Sequence, residues 1–393
     1  MLRARALAGL LSLAASASWG QGSDALATTP LQALAAQRLR ERAAQPLTPA
    51  SEAERQVLLA AARTALAQGD SQTALNRLEA AAAMSHAADT ELLVVQARVQ
   101  GGDYRQGLSF ASHTAGAHLN EPRALALYGW MLGLGEQAPY ALRLIDAGLA
   151  RMPEQPQLMA VKQQLTRLEA DAAAETSPEA AAFRPGPLAT GSAVPDHGQA
   201  LASGLLIADG RLALVPLEAL EAARDTQALW VRNGLGVTRS ATLHRRISGA
   251  GLALLRLDTR ITPAPGATPL TRPPRDAFAG SPASTLSYLA APGARPAWPA
   301  MHTGFLGRAG MGSTQALGIG LPQGSHGGAV FDHAGRLIGI GLAPRMVPLS
   351  ALLAELPTEL EALPVSMDAT KRPPDQLYEQ ALPLTVQVLA ARP

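Results

Sequence analysis

The sequence predicts a multidomain protein, an N-terminal all-α helical repeat array followed by a C-terminal all-β double β-barrel. Three observations carry this. From about Ser51 to Ala170 the chain is rich in Ala, Leu, Gln, Arg and Glu, and apolar residues return every three or four positions, the period of helices that bury one face. After about Ala200 the pattern changes to short apolar runs broken by turn residues, among them "SGLLIADGRLALV", "ALWVRNGLG" and "GLALLRLD", with no helical segments alternating between them. A proline-dense stretch from Ile261 to Pro282 divides these runs into two groups, as a connection between two barrels does.

Composition agrees and narrows the function. With 393 residues the chain is long enough for two or three separate cores, and 47% hydrophobic against 16% charged residues is ordinary for a globular protein. The 33 basic and 31 acidic residues nearly cancel, and no basic stripe is interleaved with aromatics, so the sequence offers no nucleic-acid surface. The absence of cysteine excludes disulfides, thiol catalysis, cysteine metal sites and a lipid-modified cysteine.

The N-terminus "MLRARALAGLLSLAASASWGQG" sets Arg3 and Arg5 before an apolar run from Ala6 to about Ala15, then small residues up to Gly20. That order reads as a signal peptide over residues 1–20, cleaved after Ala17 or Gly20, and the run is too short to cross a bilayer. No later segment has the apolar length of a membrane helix. A periplasmic location is the expectation.

Within the helical region, predicted over residues 30–171, loops recur at Gly69-Asp70, Gly102-Asp103 and Gly135-Glu136, 33 residues apart in both intervals. Five positions after the first two glycines stand Ala74 and Gly107, small enough for helices to approach closely, while the third repeat has Tyr140 there and Ala141 next. Twelve positions after the glycines stand Ala81, Thr114 and Ala147. The array resembles a degenerate tetratricopeptide repeat; plain helical hairpins are the alternative. A stacked array exposes a continuous face that suits a peptide or protein partner. Residues 172–198, where Pro, Gly and Ser gather, read as a linker.

The region from 199 to 393 carries a second resemblance. Three segments in order, "ASGLLIADGRLALVPLEALEAA", "GAGLALLRLD" and "LPQGSHGGAVFDHAGRLIGIGL", followed by "MVPLSALLAEL", resemble the HtrA-like branch of the trypsin-like serine proteases over about Ala200 to Leu356. The resemblance implies two barrels and a Ser-His-Asp triad. It places the histidine at Leu217, or at Glu218 if the register slips by one, the aspartate at Gly251 and the nucleophile at His326. None of these side chains can serve: the chemistry needs a hydroxyl, a base beside it and a carboxylate that orients the base. Ser325 is adjacent to His326, but neighbours on a turn point in different directions and it too would lack a base. Gly324, Gly327 and Gly328 resemble the backbone around an oxyanion hole; the alternative is that they only let the loop turn. His326 with His302 or His333 has no motif-spaced partner, so no metal and no cofactor is expected.

The tail "DQLYEQALPLTVQVLAA", from Asp375 to Ala391, ends in an alternating run that reads as a strand and resembles the segment that normally opens an HtrA-like protease domain. It is expected to pair with the first barrel, its own or that of a second copy, which would make a homo-oligomer; an amphipathic terminal helix is the alternative. The reading that follows is a periplasmic pseudoprotease that binds a protein or peptide. Its rivals are a hydrolase using unconventional residues such as His326 with Glu218, and a purely structural subunit of an envelope complex.

Overall fold

The computed structural model describes residues 47–169, 186–223, 228–262, 268–289, 293–310, 314–322, 327–360 and 362–391. The predicted signal peptide and the first part of the predicted linker lie outside these residues. The helical array and the double β-barrel are both present in the predicted order.

Among the described residues the array has three antiparallel pairs, α1 (Pro49–Ala67) with α2 (Ser71–Met84), α3 (Ala88–Gln100) with α4 (Tyr104–Ala117), and α5 (Pro122–Leu134) with α6 (Ala138–Arg151), followed by α7 (Pro156–Glu169); residues 30–46 of the predicted helical region lie outside them. The predicted loops are the turns within these pairs. Asp70 and Asp103 cap the second helix of their pairs, each accepting a hydrogen bond from a backbone amide three residues on. The third turn has the same three residues as the others, Gly135, Glu136 and Gln137, but the loop before α5 is one residue longer than the loop before α3, so the glycine stands first in its turn, Gln137 is the cap, and the register of the third repeat is corrected. Ala141 and Gly148, not Tyr140 and Ala147, occupy the positions of Ala74/Gly107 and Ala81/Thr114; Ala141 is buried and Tyr140 exposed. A Cβ on Gly148 would lie 2.1 Å from Leu125 Cδ2, and one on Gly107 2.7 Å from Val99 Cγ2, so the small-residue requirement is the same physical one in both pairs. Among the described residues no helix is long and apolar enough to cross a membrane.

Residues 186–198, expected as the end of the linker, lie against the first barrel, where β1 (Thr190–Gly191) pairs in parallel with β5 (Val237–Ile247). The other strands of that barrel are β2 (Gln199–Ile207), β3 (Leu212–Pro216), β4 (Ala228–Asn233), β6 (Leu252–Leu257) and β13 (Thr385–Ala391). Their order β5-β4-β13-β2-β3-β6 is closed by pairing of β5 with β6. The second barrel closes β7 (Pro282–Ser287), β8 (Ala300–Ala309), β9 (Gln315–Ile319), β12 (Arg345–Pro348), β11 (Leu337–Leu342) and β10 (Ala329–Asp332) in the order β10-β11-β12-β9-β8-β7. The "DHAG" turn forms as its composition predicts: Asp332 accepts from the amides of Ala334 and Arg336 at 2.9 and 3.0 Å and pairs with the Arg336 guanidinium at 2.7 Å.

The tail is both a helix and a strand. A short helix over Pro374–Ala381 leads into β13, which is hydrogen-bonded to β2 on one edge and β4 on the other, so the predicted strand completes its own barrel and both its edges are used within the chain. The helix also fastens the barrels to the array. Tyr378 and Tyr104 are fully buried with ring centroids 4.3 Å apart. Their hydroxyls donate to the Pro299 and Met131 carbonyls at 2.6 and 2.5 Å, and Arg105 pairs with Glu379 on the rim of the contact. One apolar cluster runs through Val95, Ile145, Leu205, Leu286, Phe331 and Tyr378, joining array and both barrels.

Truncation before Asp375 is expected to open the first barrel and give insoluble or unfolded protein. Tyr378→Ala should cost about 3–5 kcal/mol, whereas Arg105→Ala, at a half-exposed ion pair, should cost less than about 1 kcal/mol. Chemical denaturation of the three variants checks this ordering; a truncated chain that melts like the full one refutes the role given to the tail.

Candidate functional site

The segments that the resemblance marks as catalytic meet between the barrels. β3 ends at Pro216, and Leu217 opens a short helix over Leu217–Ala223. Leu217 is buried in the apolar core of the first barrel with Val215, Leu220 and Leu255, and its amide donates to the Gly251 carbonyl at 3.0 Å. Gly251 ends a single 3₁₀ turn and starts β6 in a left-handed conformation, φ +68°, beside Leu342 of β11. Gly327 comes from the loop before β10. A Cβ on it would fall 2.3 Å from the Ser203 carbonyl oxygen and 2.5 Å from Pro216 Cγ, and one on Gly328 would fall 2.6 Å from the Leu286 carbonyl oxygen. Backbone packs on backbone at both glycines, and their φ values of +75° and +125° add a second reason for the residue type.

Leu217, Gly251, Gly327 and Gly328 are thus brought into one neighbourhood. Gly324, Ser325 and His326 lie outside the described residues. Glu218 is exposed at the start of its helix. The nearby Ser203 is fully buried, and its hydroxyl accepts from the Tyr288 amide at 2.8 Å, a structural use. His333 sits on the β10–β11 turn with Nε2 3.1 Å from the Ala369 carbonyl oxygen.

Comparisons with known proteins add likeness without roles. The Rv3671c protease from M. tuberculosis in an inactive form is similar at 14% identity over 41% of this chain and 86% of that chain, TM-score 0.32. The HtrA-type protease AlgW with a decapeptide is similar at 20% identity over 42% of this chain and 53% of that chain, TM-score 0.33. The MamO protease domain from Magnetospirillum magneticum is similar at 16% identity over 42% of this chain and 97% of that chain, TM-score 0.28. No family model and no curated protein matches the sequence. The fold therefore rests on the strand order and closure of the two barrels in this chain.

His302 belongs to a different place. It lines a cleft of about 450 Å³ between β8 and the turn joining α5 to α6, with Glu136, Leu168 and Thr303. Glu136 holds the β8 backbone there, accepting from the Thr303 amide at 2.8 Å. His302 is buried, its Nε2 has no hydrogen-bond partner, and burial pushes its pKa down to about 4.

The sequence reading did not single out a further group, His86, Glu91, His113 and His118, which the array gathers around one carboxylate. The signal was present as three histidines within 33 positions, but they come from a loop, a helix and a helix end, and no fixed spacing announces that combination.

Because the folded-state value of His302 lies below its unfolded one, the unfolded chain binds the extra proton between about pH 4 and 6.5. Stability should be present above that window and fall as pH drops through it, by up to about 3 kcal/mol from this residue. His302→Leu should flatten the acid limb of the stability curve relative to the unsubstituted protein; identical limbs would show that His302 does not titrate there.

Proposed function

We propose that this protein is a catalytically degenerate relative of the trypsin-like serine proteases, of the HtrA-like branch, that binds a protein or peptide without cleaving it. The observation that supports this best is the pairing of Leu217 with Gly251. Where a base and its orienting carboxylate would stand, the chain has an apolar side chain committed to the barrel core and a hydrogen atom, joined backbone to backbone at 3.0 Å. A hydroxyl is a weak nucleophile until a positioned base takes its proton. The repeated helical pairs, read as tetratricopeptide-like, supply the extended face for a partner, with the groove between the barrels as a second surface. The secretory pattern of the first 20 residues supports a periplasmic location.

A fluorophosphonate probe is expected to leave every serine unlabelled, and labelling at Ser325 or another serine of the second barrel would overturn the pseudoprotease reading. Restoring the triad stepwise tests the site assignment. His326→Ser alone should give no acyl-enzyme burst on an ester substrate, and addition of Leu217→His should stay well below a complete triad because nothing fixes the tautomer of the new histidine. Only the triple variant with Gly251→Asp has all three groups, and at φ +68° Asp is among the better-tolerated non-glycine residues. Turnover by His326→Ser alone would mean that another residue already acts as base, which is the hydrolase alternative.

A further inference from the structure

The best-formed cluster of chemistry-bearing side chains lies in the array, away from both barrels. His86 is in the loop between α2 and α3, Glu91 is in the first turn of α3, His113 is on α4, and His118 is the residue that ends α4. Because α3 and α4 run antiparallel, the start of one meets the end of the other. Five residues on a continuing helix would point His113 and His118 to different faces. At His118 the backbone has already left the helix, with φ −120° and ψ 60°, and the ring stacks on His86 with centroids 4.9 Å apart.

The donor atoms face one another. Glu91 Oε1 is 2.9 Å from His86 Nε2 and 3.7 Å from His113 Nε2, Glu91 Oε2 is 3.4 Å from His118 Nε2, and the Nε2 atoms of His86 and His113 are 3.3 Å apart. Hydrogen bonding leaves this set unsatisfied. Glu91 Oε2 and His118 Nε2 are buried without a hydrogen-bond partner, and the Glu91 side chain is only 6% exposed. When both Nε2 atoms donate to Glu91 Oε1, neither has a lone pair left to accept across the 3.3 Å contact between them. A zinc-class ion removes the conflict. It binds imidazole nitrogen at about 2.0–2.1 Å, so neighbouring donors around a tetrahedral ion stand about 3.3–3.4 Å apart, close to the separations seen here.

We propose that His86, Glu91 and His113, whose donor atoms all lie within 4.8 Å of one another, form a binding site for a divalent transition-metal ion of the zinc class. His118, beside the other carboxylate oxygen of Glu91, lies outside the converging set, and three protein donors leave one tetrahedral position for water. The site would clamp the α2–α3 loop and the start of α3 to the end of α4. None of its ligands lies in the barrels, so it stands or falls independently of the pseudoprotease reading.

The test uses the full chain, stripped with chelator and titrated with Co²⁺. One equivalent should bind with the intense visible absorption of a tetrahedral nitrogen–oxygen site, Zn²⁺ should displace it, and the melting temperature should rise with free metal. Glu91→Gln and His86→Gln should each weaken Co²⁺ binding more than about 100-fold, beyond the effect of losing an outer-shell partner. His86 precedes α3, so its substitution leaves both helices their own hydrogen bonds and keeps a folded variant available. No stoichiometric uptake by the unsubstituted chain, a weak octahedral spectrum, or undiminished binding by folded His86→Gln would each overturn the proposal.

Discussion

The structure depends on a strand that arrives last. β13 lies between β2 and β4, and every one of its residues is buried, so the first barrel cannot close until the end of the chain is in place. An unfilled slot would leave two exposed edges, each a template for pairing with another chain. Filling it from within removes that hazard and leaves β13 no free edge to offer a second copy. The same segment brings Tyr378 against Tyr104, so one stretch of chain closes the barrel and docks it on the helices.

That closure has consequences for the groove between the barrels. Leu217 can occupy the top of β3 as a buried apolar residue because the barrel core beneath it is complete, and its amide finds the Gly251 carbonyl instead of water. Gly327 then packs on Pro216 and Ser203 with no room for a side chain. Apolar burial and backbone hydrogen bonds hold these positions, and both are forces that any well-packed barrel supplies.

Features written locally in the sequence were legible. The "DHAG" turn, the loops that begin with glycine and the alternating tail each follow from residues close together in the chain. The one-residue slip in the third helical pair was not, because the extra residue lies in the loop before α5 and moves Gly135 to the start of its turn, which only the burial of Ala141 and Gly148 reveals. The strand in residues 186–198 was missed for a related reason: two residues pairing with β5 leave no periodic pattern. His302 and His333 could be named as histidines, but not separated, since one faces the array cleft and the other a turn of the second barrel.

The histidine cluster marks the limit of local reading most sharply. His86 and His113 are 27 positions apart and are joined by the antiparallel return of α4 along α3. A carboxylate as enclosed as Glu91 costs several kcal/mol unless compensated, and a fold that needed only helix packing could have placed an apolar residue there. The neighbourhood of Leu217 and Gly251 shows the reverse, an apolar side chain and a glycine held by packing and a backbone hydrogen bond. Among the described residues, buried polar atoms without a partner occur in the helices, at Glu91 and His118, and in the second barrel, at Ser287 and His302, while Leu217 and Gly251 contribute packing and a backbone hydrogen bond.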